Sequence, residues 1–198
     1  MTQETMKTTN FMLVGVGGQG TILASNLLAE LGVQLGYDVK KAEVHGMSQR
    51  GGSVVSHLRL GRQVFAPIVS KGQVDILLAF EQLEAARYID YLRPGGLLLI
   101  NDFVMKPASV TNGKQTYPER DKMEAIFAAA TDNHHWVQGA KIADQIGNPK
   151  VANVVLLGAL CRLMDMHTAD YEAVIEQRLP AKLLQINLKA FRTGHQAT

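Results

Sequence analysis

The chain has 198 residues, 46% hydrophobic and 19% charged, enough for one well-cored domain and without the compositional marks of disorder. Its formal net charge of +2 gives no sign of a nucleic-acid or acidic-membrane partner. A single cysteine, Cys161, excludes an internal disulfide, a four-cysteine iron–sulfur cluster and a cysteine-based structural zinc site within this chain.

The N-terminus MTQETMKTTN is polar, lacks the apolar core of a signal peptide, and is expected to be flexible over residues 1–10. No apolar run approaches the roughly 20 residues that span a bilayer, so a cytoplasmic protein is expected. Phe11–Val16 (FMLVGV) is a continuous apolar run, the pattern of a strand covered on both faces. Gly17-Gly18-Gln19-Gly20 interrupts it. Thr21–Leu35 then places Ile22, Leu23, Leu27, Leu28, Leu31 and Leu35 near a 3.6 period, predicting a helix that Gly36 stops. Asp38–Val44 reads as the second strand, His45–Gly52 as a polar loop ending in glycines, and Ser53–Leu60 as a third, partly alternating strand.

Val74–Phe80 (VDILLAF) predicts another fully buried strand. A helix follows over Glu81–Leu92, closed by the breakers Arg93-Pro94-Gly95-Gly96, and Leu97–Asn101 is the next strand. Asp102–Pro118 is the least regular stretch, with room for short strands. A helix over Glu119–Ala130, a short strand at Trp136–Gln138 and a helical turn or two at Ala140–Ile146 complete the alternation. Asn148 as an N-cap with Pro149 at the first helical position starts a helix to about Met166, apolar on most faces. Two amphipathic helices follow, Thr168–Leu179 and Pro180–Arg192. Cys161 lies inside the apolar run and reads as a small buried hydrophobe. The chain reads as a single domain over 1–198, a three-layer α/β/α fold with a mainly parallel Rossmann-like sheet and a C-terminal helical cap over 149–193.

Two strings carry chemistry. Gly15-Val16-Gly17-Gly18-Gln19-Gly20 satisfies GxGxxG between a strand and a helix, where glycine lets a backbone or ligand approach and the helix N-terminus offers unpaired N–H groups. Glu43 near the end of the second strand formally completes a dinucleotide fingerprint. The same glycines also suit a tight turn with close helix packing. The second string, His45-Gly46-Met47-Ser48-Gln49-Arg50-Gly51-Gly52, is the more specific. His45 titrates or donates, Ser48 and Gln49 offer small polar contacts, and Arg50 is a fixed cation suited to a carboxylate or phosphate. In an open α/β sheet this loop lies beside the turn after the first strand, so the two strings are expected to build one composite polar site, the other reading of each loop residue taken alone being a solvated loop. Its binding residues are expected to be Gly15, Gly17, Gly18, Gln19, Gly20, His45, Gly46, Ser48, Gln49, Arg50, Gly51 and Gly52, with His45 and Arg50 as catalytic candidates.

GVGGQG at Gly15–Gly20, AEVHGMSQRGGSVVSHLRLG at Ala42–Gly61 and VDILLAFEQLEAAR at Val74–Arg87 resemble the gamma-type domain of 2-oxoacid:ferredoxin oxidoreductases. Within that family the pattern is nearest the small (beta) subunits of the indolepyruvate branch. Pro94-Gly95-Gly96, Tyr117-Pro118 and Gly147-Asn148 leading into Val155–Leu160 extend the match. The resemblance implies an accessory subunit of a complex that oxidatively decarboxylates a 2-oxoacid, an aryl-pyruvate such as indolepyruvate, to an acyl-CoA and passes electrons to ferredoxin. It implies that thiamine diphosphate, its magnesium ion and the 4Fe–4S clusters sit on a large alpha subunit, with CoA as co-substrate. The sequence agrees on its own terms, since no GDG-type thiamine motif occurs. A free-standing NAD(P)-binding oxidoreductase and a purely structural assembly subunit remain the alternative readings.

Overall fold

A computed structural model describes residues 7–45 and 52–198, with His45 described by its backbone. Six strands among these residues form one sheet in the order β2-β3-β1-β4-β5-β6. They are β1 Thr9–Val16, β2 Asp38–His45, β3 Ser53–Gly61, β4 Val74–Ala79, β5 Leu92–Asn101 and β6 His134–Val137. β1, β4, β5 and β6 run parallel, whereas β3 is antiparallel to both β1 and β2. The mainly parallel α/β fold expected from the sequence is therefore present, with one reversed strand inserted between β1 and β2.

The helices are α1 Thr21–Gln34, α2 Gln82–Tyr88, α3 Ala108–Thr111, α4 Arg120–Ala130, α5 Gly139–Ile146, α6 Ala152–Leu163, α7 Thr168–Arg178 and α8 Ala181–Gln196. Period-2 alternation along the strands divides the core in two. Phe11, Leu13, Leu58, Ile76, Leu78 and Leu99 face α1 and the C-terminal helices. Met12, Val14, Val55, Leu77, Leu98 and Ile100 face Ala85 of α2 and Met123 and Phe127 of α4. The predicted cap belongs to one of these layers: α6 is buried from Asn153 to Cys161, packs chiefly on α8 with α5, α1 and α7 beside it, and shares its core with one face of the sheet. α6 and α8 approach closely through glycine. A Cβ on Gly158 would land on the Phe191 carbonyl oxygen, and one on Gly194 on the Val155 carbonyl oxygen.

Two expectations need correction. The helix predicted over Glu81–Leu92 ends at Tyr88, and a short 3-10 turn over Ile89–Tyr91 leads into β5. β5 begins at Leu92 and contains the breakers: Leu92 pairs with Val74, the next partners are Leu97 and Ile76, and Arg93–Gly96 bulge out between them. Gly95, at φ +67°, makes that bulge possible. Asp102–Pro118 forms no strand among the described residues; its one regular element is the single turn α3. The C-terminal apolar positions behave mostly as core, with Tyr171, Ile175 and Leu188 buried and Leu183 exposed.

Candidate functional site

After β1 the chain turns toward β3 and β2, and after β4 toward β5 and β6, so the topological switch lies between β1 and β4. A cleft of about 340 Å³ opens there, at the carboxyl ends of β1, β4 and β5. Gly17, Gly18 and Gln19 form one wall, Phe80, Asn101, Phe103 and Met105 the floor and far side, and Ala140, Asp144, Pro149 and Lys150 the helical side.

The floor is built by two side-chain amides. Gln19 Oε1 accepts the Val16 N–H at 2.7 Å, and Gln19 Nε2 donates to the Phe80 carbonyl at 3.0 Å, bridging β1 and β4. Asn101 Nδ2 donates to the same carbonyl at 3.1 Å, and Asn101 Oδ1 accepts the Ala140 N–H at 3.3 Å. Three strand ends and the start of α5 are thereby tied in one network. Gly15 is glycine because a Cβ would meet Gln19 Oε1, Thr21 Oγ1 and Phe80 Cβ, each within 2.9 Å. Gly20 caps α1 in the left-handed conformation, φ 78°, with its carbonyl held by Asn153 Nδ2 of α6 at 3.3 Å.

The turn does not offer its amides as a plain dinucleotide loop would. Gly17 N–H donates to the Gly52 carbonyl at 2.9 Å, and Gln19 N–H to Val16 at 3.1 Å. The N–H groups of Gly18 and Gly20 find no acceptor among the described residues. Glu43 lies on β2, separated from β1 by β3, and pairs with Lys41 at 2.6 Å. The insertion of β3 therefore breaks the spacing that the formal fingerprint relied on, because a ribose-binding acid has to stand on the strand next to β1.

The Gly17–Gly52 bond also places the end of the second string against the first, as its position after β2 suggested. Gly46, Met47, Ser48, Gln49, Arg50 and Gly51 lie outside the described residues, as does the side chain of His45. The root of that loop is firmly held. Ser53 opens β3 opposite Val16, and its hydroxyl donates to Glu84 Oε2 at 2.5 Å and lies 3.2 Å from the Tyr88 hydroxyl. Glu84 is buried and also pairs with Arg87 at 2.6 Å. Burial pushes its carboxyl above the ordinary range against the opposing pull of Ser53 and Arg87.

Glu81, also buried, caps α2 by accepting the Glu84 N–H at 3.0 Å. Its other oxygen accepts the Met105 N–H at 3.2 Å and the Tyr117 hydroxyl, so it fixes the cleft lip. Burial and this hydrogen bond raise the Tyr117 hydroxyl far above its usual range. Asn148 Oδ1 accepts the Lys150 N–H at 3.1 Å, starting the turn that carries Lys150 to the cleft. Neither Lys150 nor Asp144 forms an ion pair among the described residues. Sequence reasoning singled out the glycine turn and missed Asn101, Glu81 and Lys150 as site residues. The signal for Lys150 was its place behind the Asn148-Pro149 helix start; Asn101 and Glu81 had only their strand-end positions.

No group of three or more His, Cys, Asp or Glu converges to hold a metal among the described residues. Cys161 is buried, donates to the Met166 carbonyl, and has its thiol pushed up to about 11 by burial. The residues present do not fit an iron–sulfur cluster, and no helix among those described is long and apolar enough to cross a membrane.

Residues 10–197 match the family described as pyruvate ferredoxin/flavodoxin oxidoreductase. The indolepyruvate oxidoreductase subunit IorB of Thermococcus kodakarensis is 40% identical over 195 residues, covering 97% of this chain and 96% of the relative. Among solved structures, the gamma subunit of a keto/oxoacid ferredoxin oxidoreductase from Geobacter sulfurreducens superposes with a TM-score of 0.68 at 26% identity, covering 96% of this chain and 97% of that one. A 2-oxoglutarate:ferredoxin oxidoreductase from Magnetococcus marinus shares the fold at TM-score 0.72 and 17% identity, covering 96% of this chain but 31% of its own.

Proposed function

This chain belongs to the pyruvate ferredoxin/flavodoxin oxidoreductase family, and from that premise we propose that it is the accessory subunit of an indolepyruvate-type 2-oxoacid:ferredoxin oxidoreductase. The observation that carries this reading is the 40% identity with an indolepyruvate oxidoreductase subunit, over 97% of this chain and 96% of that relative. The complex would oxidatively decarboxylate an aryl-pyruvate, transfer the acyl group to CoA and pass the electrons to ferredoxin. Thiamine diphosphate, magnesium and the 4Fe–4S clusters belong, on this reading, to a large partner subunit, since the residues here do not fit a cluster.

The contribution of this chain is one wall of the active-site cleft. The glycine turn at the sheet's carboxyl end would face the partner's thiamine-bearing domain, and the string His45–Gly52 would complete that surface. Exposed Val44, Val104 and Ile22 around that end supply apolar contact area. An anionic group, a CoA phosphate or the substrate carboxylate, is held by Arg50, Lys150 and the amides of Gly18 and Gly20 at the start of α1. His45 and Gln49 contact the reacting region or the partner. Asp144, on the same helical side of the cleft as Lys150, limits how far the anion extends along it.

Reconstitution with the large subunit tests this. The isolated chain is expected to be inactive, and the complex to reduce ferredoxin in a reaction requiring both indolepyruvate and CoA. Arg50→Ala and His45→Ala are expected to lower CoA-dependent turnover of an assembled complex. Full turnover in both variants would remove the cleft role, and turnover by the chain alone with NAD(P) would replace the whole reading.

A further inference from the structure

The connection from β3 to β4, residues 62–73, contains no helix or strand, yet it is fixed at three places. Val64 is buried and its N–H donates to Asp38 Oδ2 at 2.7 Å. Arg59 Nη1 holds the Ala66 carbonyl at 3.0 Å. Val69 is buried and its N–H donates to His57 Nδ1 at 3.3 Å, an acceptor role that requires the neutral imidazole; burial of His57 favours that form. Between these anchors the sequence is Phe65-Ala66-Pro67-Ile68. Phe65 is 86% exposed and Ile68 52%.

A lone exposed apolar side chain needs no explanation. This one is different because buried neighbours and three hydrogen bonds hold its backbone in place while its ring points at water. Displaying a pre-ordered aromatic lowers the entropy cost of docking it into a pocket. The segment is also basic at its margin: Arg59 and Arg62 have no carboxylate partner among the described residues, while Lys71 is matched by Asp90. β3 is antiparallel to β1, with Leu60 opposite Thr9, so this surface stands at the end of the sheet remote from the cleft.

Resting on the accessory-subunit reading above, we propose that Phe65 and Ile68 form a second docking face, separate from the cleft, which inserts into an apolar pocket with an acidic rim on the large subunit. Charge selects that occupant. A two-fold dimer of this chain through the same face would bring Arg59 and Arg62 of both copies together, which repels. An acid-rimmed partner removes the repulsion and matches the uncompensated guanidinium groups. Such a grip away from the cleft lets the active-site wall form without the cleft residues also supplying the assembly energy.

The test co-expresses the full chain with an affinity-tagged large subunit and measures binding for wild type, Phe65→Ser and Arg62→Glu. Both substitutions are at exposed positions, and unchanged thermal melts of the isolated variants establish that they fold. The expected result is a loss of affinity of roughly tenfold or more for Phe65→Ser, the scale of an aromatic anchor. Arg62→Glu is expected to weaken binding mainly at low salt. Wild-type affinity in both variants overturns the docking face and leaves the accessory-subunit reading standing. No binding by the wild type overturns both. A wild-type homodimer that Phe65→Ser converts to monomer, or normal assembly with impaired ferredoxin reduction, assigns the face to a different occupant and overturns the proposal.

Discussion

Gln19 and Asn101 donate to the same atom: the side-chain amide of each reaches the Phe80 carbonyl oxygen, at 3.0 and 3.1 Å, one from the turn after β1 and the other from the end of β5. Either amide alone keeps that carbonyl satisfied. Gln19→Ala and Asn101→Ala are each expected to cost about 1–2 kcal/mol, from the backbone N–H that each leaves without its acceptor. The double variant orphans Phe80 as well, so its cost is expected to exceed the sum by about 0.5–3 kcal/mol. Urea unfolding of the four proteins measures this, and strict additivity would show that the shared acceptor does not couple them.

Gly158 and Gly194 set the distance between α6 and α8, because a Cβ at either position meets the backbone of the opposite helix. Backbone cannot swing aside as a flexible side chain can. Gly194→Ala or Gly158→Ala is therefore expected to destabilise the protein by about 3 kcal/mol or more, above the usual overpacking penalty. Thermal melts check this; a variant within the noise of wild type would mean that the helices separate freely.

Stability is expected to fall as pH rises through the titration of His134. Burial pulls this histidine down, but its hydrogen bonds to Glu124 and the Thr131 carbonyl more than offset that and raise it above its ordinary 6.5. A raised histidine binds its proton more tightly when folded, so its contribution is complete below the unfolded value and is lost as pH climbs past the folded one. Glu124 is held low by the same hydrogen bond, so its share is lost instead under acid conditions. Melting temperatures at about pH 6 and about pH 8 are expected to converge in His134→Gln relative to wild type. An unchanged difference between the two pH values would dismiss the pair as a contributor.

Cys161 is expected to resist thiol reagents in the folded protein. It is buried, and its thiol is raised to about 11, so almost no thiolate exists at neutral pH. Labelling with an aromatic disulfide is expected only after denaturant is added. Rapid stoichiometric labelling of the native chain would place the residue at an accessible surface.

Local signals carried much of the fold. The apolar run Phe11–Val16, the stop at Gly36 and the Asn148-Pro149 helix start each specify their backbone within a few residues, and each is found where the sequence places it. Strand direction is not local. Nothing within Ser53–Gly61 records that it runs against β1, because its two faces are both buried and its side chains alternate equally well either way. For the same reason Glu43 passed for a fingerprint acid. The Arg93–Gly96 breakers were legible as breakers, but a bulge inside a strand and a turn before one use the same residues. In the site, the glycine turn announced itself, while Asn101 and Lys150 line one cleft, and Glu81 holds its Met105 lip, only because the switch point gathers the ends of distant elements.

The reversed strand has an effect on how the site can change over evolutionary time. Because β3 returns alongside β2, residues 46–52 connect two strands of a hairpin instead of leading into a crossover helix. Lengthening or shortening a crossover loop shifts a helix and every residue packed beneath it. At this hairpin tip the two strands are already in register from Asp38 opposite Gly61 to His45 opposite Val54, and Ser53 and Gly52 are pinned from below. Insertions and substitutions in that connection are free to vary while the β2–β3 register and the scaffold beneath stay as they are.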